Sequence, residues 1–236
     1  MAIADHIDLA QYLAADDLVQ SDHPEIVQTA AAITAGVTDT PTKAVRIFYW
    51  VRDRIAYCIE GDRPALAVLR DGRGVCVTKA LLHVALLRAA GVPARLGHAD
   101  YRSTVLRQMF PDAYMDRQPD IYPLHTFAEV FLDGEWRTCD ATVDRDFARD
   151  LGFRLNEFDG TRSTETMPGD AHVVRRYSSA SGPEMIGLYT QALGEIGVSH
   201  DELRRQYQLL DIYVELRRLH RRIETVERII VAKVTE

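Results

Sequence analysis

Asp133-Gly134 divides two short runs of alternating β-branched and aromatic residues, His125–Leu132 and Glu135–Asp140. An Asp-Gly pair in that setting is the strongest short-range signal for a β-hairpin. A two-residue turn fixes the register: Leu132 faces Glu135, Val130 faces Arg137, Phe127 faces Asp140 and His125 faces Thr142. Side chains alternate along a strand, so His125, Phe127, Asp140 and Thr142 share one face and Cys139 points to the other. His125 and Asp140 become diagonal neighbours, with backbone positions roughly 7–8 Å apart and side chains in reach of each other. A carboxylate there accepts the imidazole Nδ1–H, sets the tautomer and stabilises the imidazolium. Taken singly, either residue reads as an ordinary polar strand end.

Upstream, the glycine-rich turn Asp71-Gly72-Arg73-Gly74-Val75 leads into an apolar helix, Cys76 through Ala90, that Gly91-Val92-Pro93 stops. Unpaired N–H groups at a helix start carry partial positive charge, favour thiolate over thiol and make a sulfur there nucleophilic. A buried inert cysteine is the rival reading. A thiol, an imidazole and a carboxylate in this order can run acyl transfer, with the Cys76 N–H as the expected oxyanion donor. Cys139, on the far face, is rejected as nucleophile. His83 lies roughly 10 Å from Cys76 along the helix and reads as a core residue. His98, on a strand expected at about Ala94–Tyr101, is a candidate cleft residue.

Four blocks carry a family pattern: Ala44-Val45-Arg46-Ile47-Phe48-Tyr49-Trp50-Val51-Arg52-Asp53-Arg54-Ile55-Ala56-Tyr57, Gly72-Arg73-Gly74-Val75-Cys76, Leu86 through Arg95, and His125 through Asp140. In that order, over about residues 24–143, they resemble a bacterial transglutaminase-like protein of the papain-related cysteine superfamily. The resemblance implies an α+β, papain/transglutaminase-like fold with the cysteine-bearing helix packed on an antiparallel sheet and helical N- and C-terminal extensions. It implies Cys76 as nucleophile, His125 as base and then acid, and Asp140 as orienter. Such families often read His-Ala-Trp where this chain has His125-Thr126-Phe127, which bears on substrate contacts. Trp50, Tyr57, His98, Phe127 and Tyr122 are the candidate substrate-binding residues, with core packing the alternative for Trp50 and Tyr57.

The expected activity is cysteine-dependent acyl transfer at amide bonds of a peptide, protein or small molecule, through a thioester. Hydrolysis by a peptidase or amidase is favoured over transamidation or amide formation with an amine acceptor, and the triad is common to both. A non-catalytic binding module is the competing class, and an intact Cys76, His125 and Asp140 set counts against it.

A net charge of −7 and a pI near 5.6 speak against nonspecific nucleic-acid binding and against anionic membranes. No apolar run reaches membrane-spanning length, and the first residues lack a signal-peptide pattern. With three cysteines and no zinc or calcium spacing, a cytoplasmic enzyme with free thiols and without metal or cofactor is expected.

One catalytic domain is expected over residues 1–180, followed by a helical extension at 181–236. Amphipathic helices are expected at 5–20, from Pro24 to about Thr34 and from Thr40 onward. The stretch Arg102–Leu124, expected to be irregular and rich in apolar residues, reads either as a lid or substrate wall or as cover for the sheet edge. Gly160-Thr161-Arg162-Ser163-Thr164 is a weak candidate for ligand contact. Ser199-His200-Asp201-Glu202 opens as a capping box onto a helix to about Val231. Its apolar stripe docks on the enzyme body or, as a homodimer interface, on a copy of itself.

Overall fold

Pro24 and Pro41 each sit in the first turn of a helix, where a missing N–H costs nothing. His23 caps the first helix by accepting from the Glu25 N–H, and Asp39 caps the second by accepting from Thr42 at 2.8 Å. In the computed structural model, which describes residues 8–59, 63–116, 118–167, 169–195, 197 and 199–235, these are α1 (Pro24–Ile33) and α2 (Thr40–Arg54). Next come β1 (Ala56–Tyr57), α3 (Ala65–Asp71), β2 (Arg73–Gly74) and α4 (Cys76–Ala89). Then follow β3 (Ala94–Arg102), α5 (Asp112–Met115), β4 (Ile121–Leu132), β5 (Glu135–Cys139) and α6 (Arg145–Leu151). The chain closes with β6 (Val173–Ser179), α7 (Gly182–Glu195) and α8 (His200–Thr235).

Four strands form one antiparallel sheet in the order β5-β4-β3-β6, and β1 pairs with β2 in parallel. Helix α4 is buried from Thr78 to Arg88, which explains why its sequence is apolar on every side. It packs between the sheet and helices α1, α2 and α3, and Ile47, Phe48, Leu82, Leu86, Leu96 and Val130 form the centre of that main core. Arg88 is buried in this layer with its charge directed onto three carbonyls, those of Ala14, Ala94 and Ala180. Phe127 crosses the sheet over Gly97, its partner in register. A Cβ on Gly97 would lie 2.3 Å from the Phe127 ring, so only glycine fits there.

A second cluster lies at the other end of the sheet. It joins Tyr57, Val75, Tyr101, Met109, Met115 and Phe147 to Leu210 and Val214 of α8.

Three expectations need correction. Residues 8–20 hold only a short 3₁₀ turn, Ala10–Tyr12, in place of an amphipathic helix, and 5–7 lie outside the described residues. Asp16 takes the N–H groups of Leu18, Val19 and Gly182, an alternative to helical bonding that aspartate favours. The stretch from Arg102 to Leu124 is structured: a 3₁₀ helix at Ser103–Gln108, α5, and β4 already from Ile121. The hairpin register holds from Leu132↔Glu135 through Val130↔Arg137 to Ala128↔Cys139, but the ladder ends there. The Phe127–Asp140 and His125–Thr142 pairs do not form, because Asp140 leaves the sheet and gives its N–H to Thr164 Oγ1 at 2.9 Å. The capping-box side chain of Glu202 lies outside the described residues.

Candidate active site

Val75 approaches α4 in extended conformation, which makes Cys76 the first helical residue, half-buried at the helix start. Strand β2 can pass this close because Gly74 has no side chain: a Cβ there would lie 2.6 Å from Thr78 Oγ1. Lys79, one turn into α4, is buried and donates from Nζ to the Ile55 carbonyl at 2.7 Å, fixing the residue that leads into β1. Burial lowers its pKa to about 8.

On β4, Pro123 and Leu124 oppose the single residue Asp100 of β3 in a bulge, and His125 follows at once. Leu124 has φ +61°, a costly conformation for a bulky residue, and its N–H donates to Asp100 Oδ1 at 3.1 Å. His125 is 1 % exposed, and its Nε2 meets Asp140 Oδ2 at 2.8 Å. The expectation that Nδ1 would meet the carboxylate is therefore reversed. With Asp140 just past the strand end, the far nitrogen of the ring is the one that reaches it.

Asp140 is held from several sides. Thr142 N–H donates to Oδ1 at 2.9 Å and Met167 N–H to Oδ2 at 2.8 Å, while Asn156 Nδ2 donates to the Asp140 carbonyl at 3.1 Å. Burial opposes its charge, but the His125 charge and hydrogen bond, with Thr142 and Met167, bring its pKa below the usual carboxylate range. Burial likewise opposes charge on His125. The charge and hydrogen bond of Asp140, then Cys76, outweigh it and raise the imidazole to about 10. Nδ1 is buried without an aligned hydrogen-bond partner among the described residues, although Cys76 acts on the ring.

An aromatic wall surrounds the pair. Tyr101 stands edge-on to His125 at 6.2 Å between ring centroids and stacks on Tyr122 at 5.9 Å. Burial foremost, with Cys76 among the further causes, raises the phenols of Tyr57, Tyr101 and Tyr122. Tyr122 Oη lies 3.2 Å from Tyr207 Oη, which lies 3.0 Å from Tyr189 Oη, so α7 and α8 close the wall. The Tyr57 ring packs on Phe147 at 4.3 Å, and its N–H donates to Asp144 Oδ2 at 2.6 Å.

The fold thus gathers Cys76, His125, Asp140, Tyr57 and Tyr122, with the Phe127 ring 5.7 Å from His125. It does not bring Trp50 or His98 to a cleft. Trp50 packs against the main core. His98 is fully buried, with Nδ1 on Thr126 Oγ1 at 3.1 Å and Nε2 on Ser179 Oγ at 2.8 Å, and burial lowers its pKa to about 4. Cys139 faces away, 3.7 Å from His83 Nε2 in the core. The 160–164 stretch runs along β5 instead of toward a ligand: Thr138 N–H donates to Ser163 Oγ, and Thr164 N–H to the Thr138 carbonyl. Asn156, Met167, Tyr101 and Tyr207 were not read as site residues in the sequence, and Thr164 was read as a ligand contact and not as a brace for Asp140, because no local spacing relates them to it.

Among the described residues no group of three or more His, Cys, Asp or Glu side chains could hold a metal ion. No described helix is long and apolar enough to cross a membrane.

A helix-initial cysteine packed on an antiparallel sheet that carries a histidine–aspartate pair defines an α+β cysteine fold of the papain-related kind. Residues 27–141 match the model of the transglutaminase-like superfamily. Two solved structures are similar over 57 % of this chain. One is described as a "Putative Cysteine Protease from Cytophaga hutchinsonii", 25 % identical with a TM-score of 0.45 over 42 % of its own length. The other is a "Putative Protease from Parabacteroides distasonis ATCC 8503", 17 % identical with a TM-score of 0.39 over 26 % of its length. The chain thus matches less than half the length of either structure. No curated protein matches it.

Proposed function

We propose that this protein is a cysteine-dependent acyl-transfer enzyme that cleaves amide bonds through a thioester on Cys76. The observation that carries this reading is the buried His125–Asp140 bond at 2.8 Å, which engages Nε2 and leaves Nδ1 for the thiol. With His125 as the imidazolium, holding the proton that Cys76 gives up, the thiolate attacks the carbonyl carbon. As the tetrahedral species collapses, the C–N bond breaks and the imidazolium gives its proton to the leaving amine. Water then attacks the thioester with His125 as base, releasing the acid and restoring the thiol. Asp140 remains a carboxylate throughout and stabilises the imidazolium. The Cys76 N–H, free at the helix start, serves the oxyanion. The substrate is an amide of a peptide, protein or small molecule, and the site works without a metal or cofactor.

Intact-mass analysis after brief exposure to an amide and ester library tests the proposal. An acyl adduct on Cys76 that is absent in Cys76→Ala and that decays to free acid is the expected result. Transfer of the acyl group to an added amine in preference to water would reassign the enzyme as a transamidase. No adduct with any acyl donor, and no faster alkylation of Cys76 than of Cys58 or Cys139, would overturn the enzymatic reading in favour of a binding module.

A further inference from the structure

From Leu209 to Ile230, α8 carries an apolar residue at every position of a strict three-four spacing: Leu209, Ile212, Leu216, Leu219, Ile223, Val226 and Ile230. All seven are exposed, from 48 % at Ile223 to 71 % at Leu209. Their mean spacing is 3.5 residues, whereas a straight helix turns once in 3.6. Such a stripe stays in line only where the helix winds about another helix. The residues that hold α8 to the body are a different set: Leu210 and Val214 are buried, and Arg218 and Arg222 meet Asp150. Relative to a seam with Leu209, Leu216, Ile223 and Ile230 at a, Leu210, Val214 and Arg218 occupy b, f and c, positions a coiled coil turns outward, and Arg222 occupies the flanking g position. The apolar a and d residues are therefore left to a partner helix. From Thr225 to Lys233 every side chain is exposed.

We propose that α8 pairs with α8 of a second copy of this chain, making the protein a homodimer through a coiled-coil seam. A stripe of Leu, Ile and Val repeated without a polar break is complementary to itself across a two-fold axis, as an isologous interface requires. Two such helices with their flanks bury on the order of the 1,200–2,000 Å² found in specific stable interfaces. The inference stands independently of the catalytic reading, since it uses no residue of the site.

Sedimentation equilibrium of the full chain at micromolar concentration tests it. The expected mass is twice the 26.6 kDa of the chain. Leu219→Glu with Ile223→Glu, both at exposed positions, should reduce the mass to that of one chain with the thermal unfolding of the body retained. Arg221→Glu, at an exposed f position, should leave the dimer intact. A wild-type mass of one chain, or of three or more, overturns the proposal whatever the variants do. So does a double variant that still associates, or an Arg221→Glu chain that dissociates as fully as the double variant.

Discussion

His125 and Asp140 pair at 2.8 Å with both side chains buried, so the worth of the pair depends steeply on pH. The imidazole, near 6.5 in an unfolded chain, is raised to about 10 in the fold. Its contribution to stability is therefore complete below about 6.5 and is lost as pH rises through about 10. Asp140 is shifted down, so its share holds above about 3.9 and is lost as pH falls through the lowered folded value. Urea unfolding from pH 6 to pH 10 should show the wild type losing stability that His125→Ala never had. At pH 6.5 that variant should be about 3–5 kcal/mol less stable, because it strands a buried carboxylate. A pH-independent difference between the two chains would refute the assignment of this pair as ionised. For catalysis, Asp140→Asn keeps the size of the side chain and removes the charge that supports the imidazolium. Its kcat/KM should fall by roughly 10²–10⁴ with the fold intact, and near-normal turnover would remove Asp140 from the mechanism.

The elements that were legible in the sequence are those fixed by local chemistry. Asp133-Gly134 set the hairpin register to Cys139, and the prolines and caps set the starts of α1 and α2. Gly72 through Cys76 set the start of α4, one residue past its capping position Val75. What was not legible depends on chain segments far apart. The bulge before His125 arises from Asp100 on the neighbouring strand, and the bracing of Asp140 arises from Asn156, Thr164 and Met167, more than fifteen residues on. Gly97 belongs to the same class, since nothing in its own sequence context announces the Phe127 ring lying over it. Gly97→Ala should cost about 1–3 kcal/mol through overpacking and push Phe127 against His125. Calorimetry should show a lower Tm, and an unchanged Tm would mean the strand yields without strain. Met109, 1 % exposed after the 103–108 turn, packs in the second cluster with Tyr57 and Tyr101 and marks that segment as cover. Met109→Ala should destabilise by about 2–5 kcal/mol, whereas a free lid would lose turnover at unchanged stability.

Across the whole molecule, the C-terminal helix reaches the strands beside Cys76 through one carboxylate. Asp211 of α8 accepts from the Ile59 N–H at 2.8 Å and from Arg73 Nη2 at 2.9 Å. Ile59 lies just beyond β1, which carries Tyr57, and Arg73 opens β2, which delivers the chain to Cys76. One side chain therefore holds both strands of the two-residue ladder that leads to Cys76. A pair of two-residue strands is far too short to be stable alone, and Asp211 holds it together with Lys79 at Ile55 and Asp144 at Tyr57. Asp211→Ala should release both strands together while the main core, built on α4 and the sheet, stays folded. Hydrogen exchange should then quicken at Ala56–Ile59 and Arg73–Val75 and stay slow within α4. Alkylation of Cys76 should change its rate while that of Cys139, in the core, does not. The stability cost should be about 1–3 kcal/mol, that of leaving a buried backbone donor unpaired. Exchange that rises uniformly through the sheet and α4 would instead make Asp211 a general fastener of the fold, without a special hold on the strands beside the cysteine.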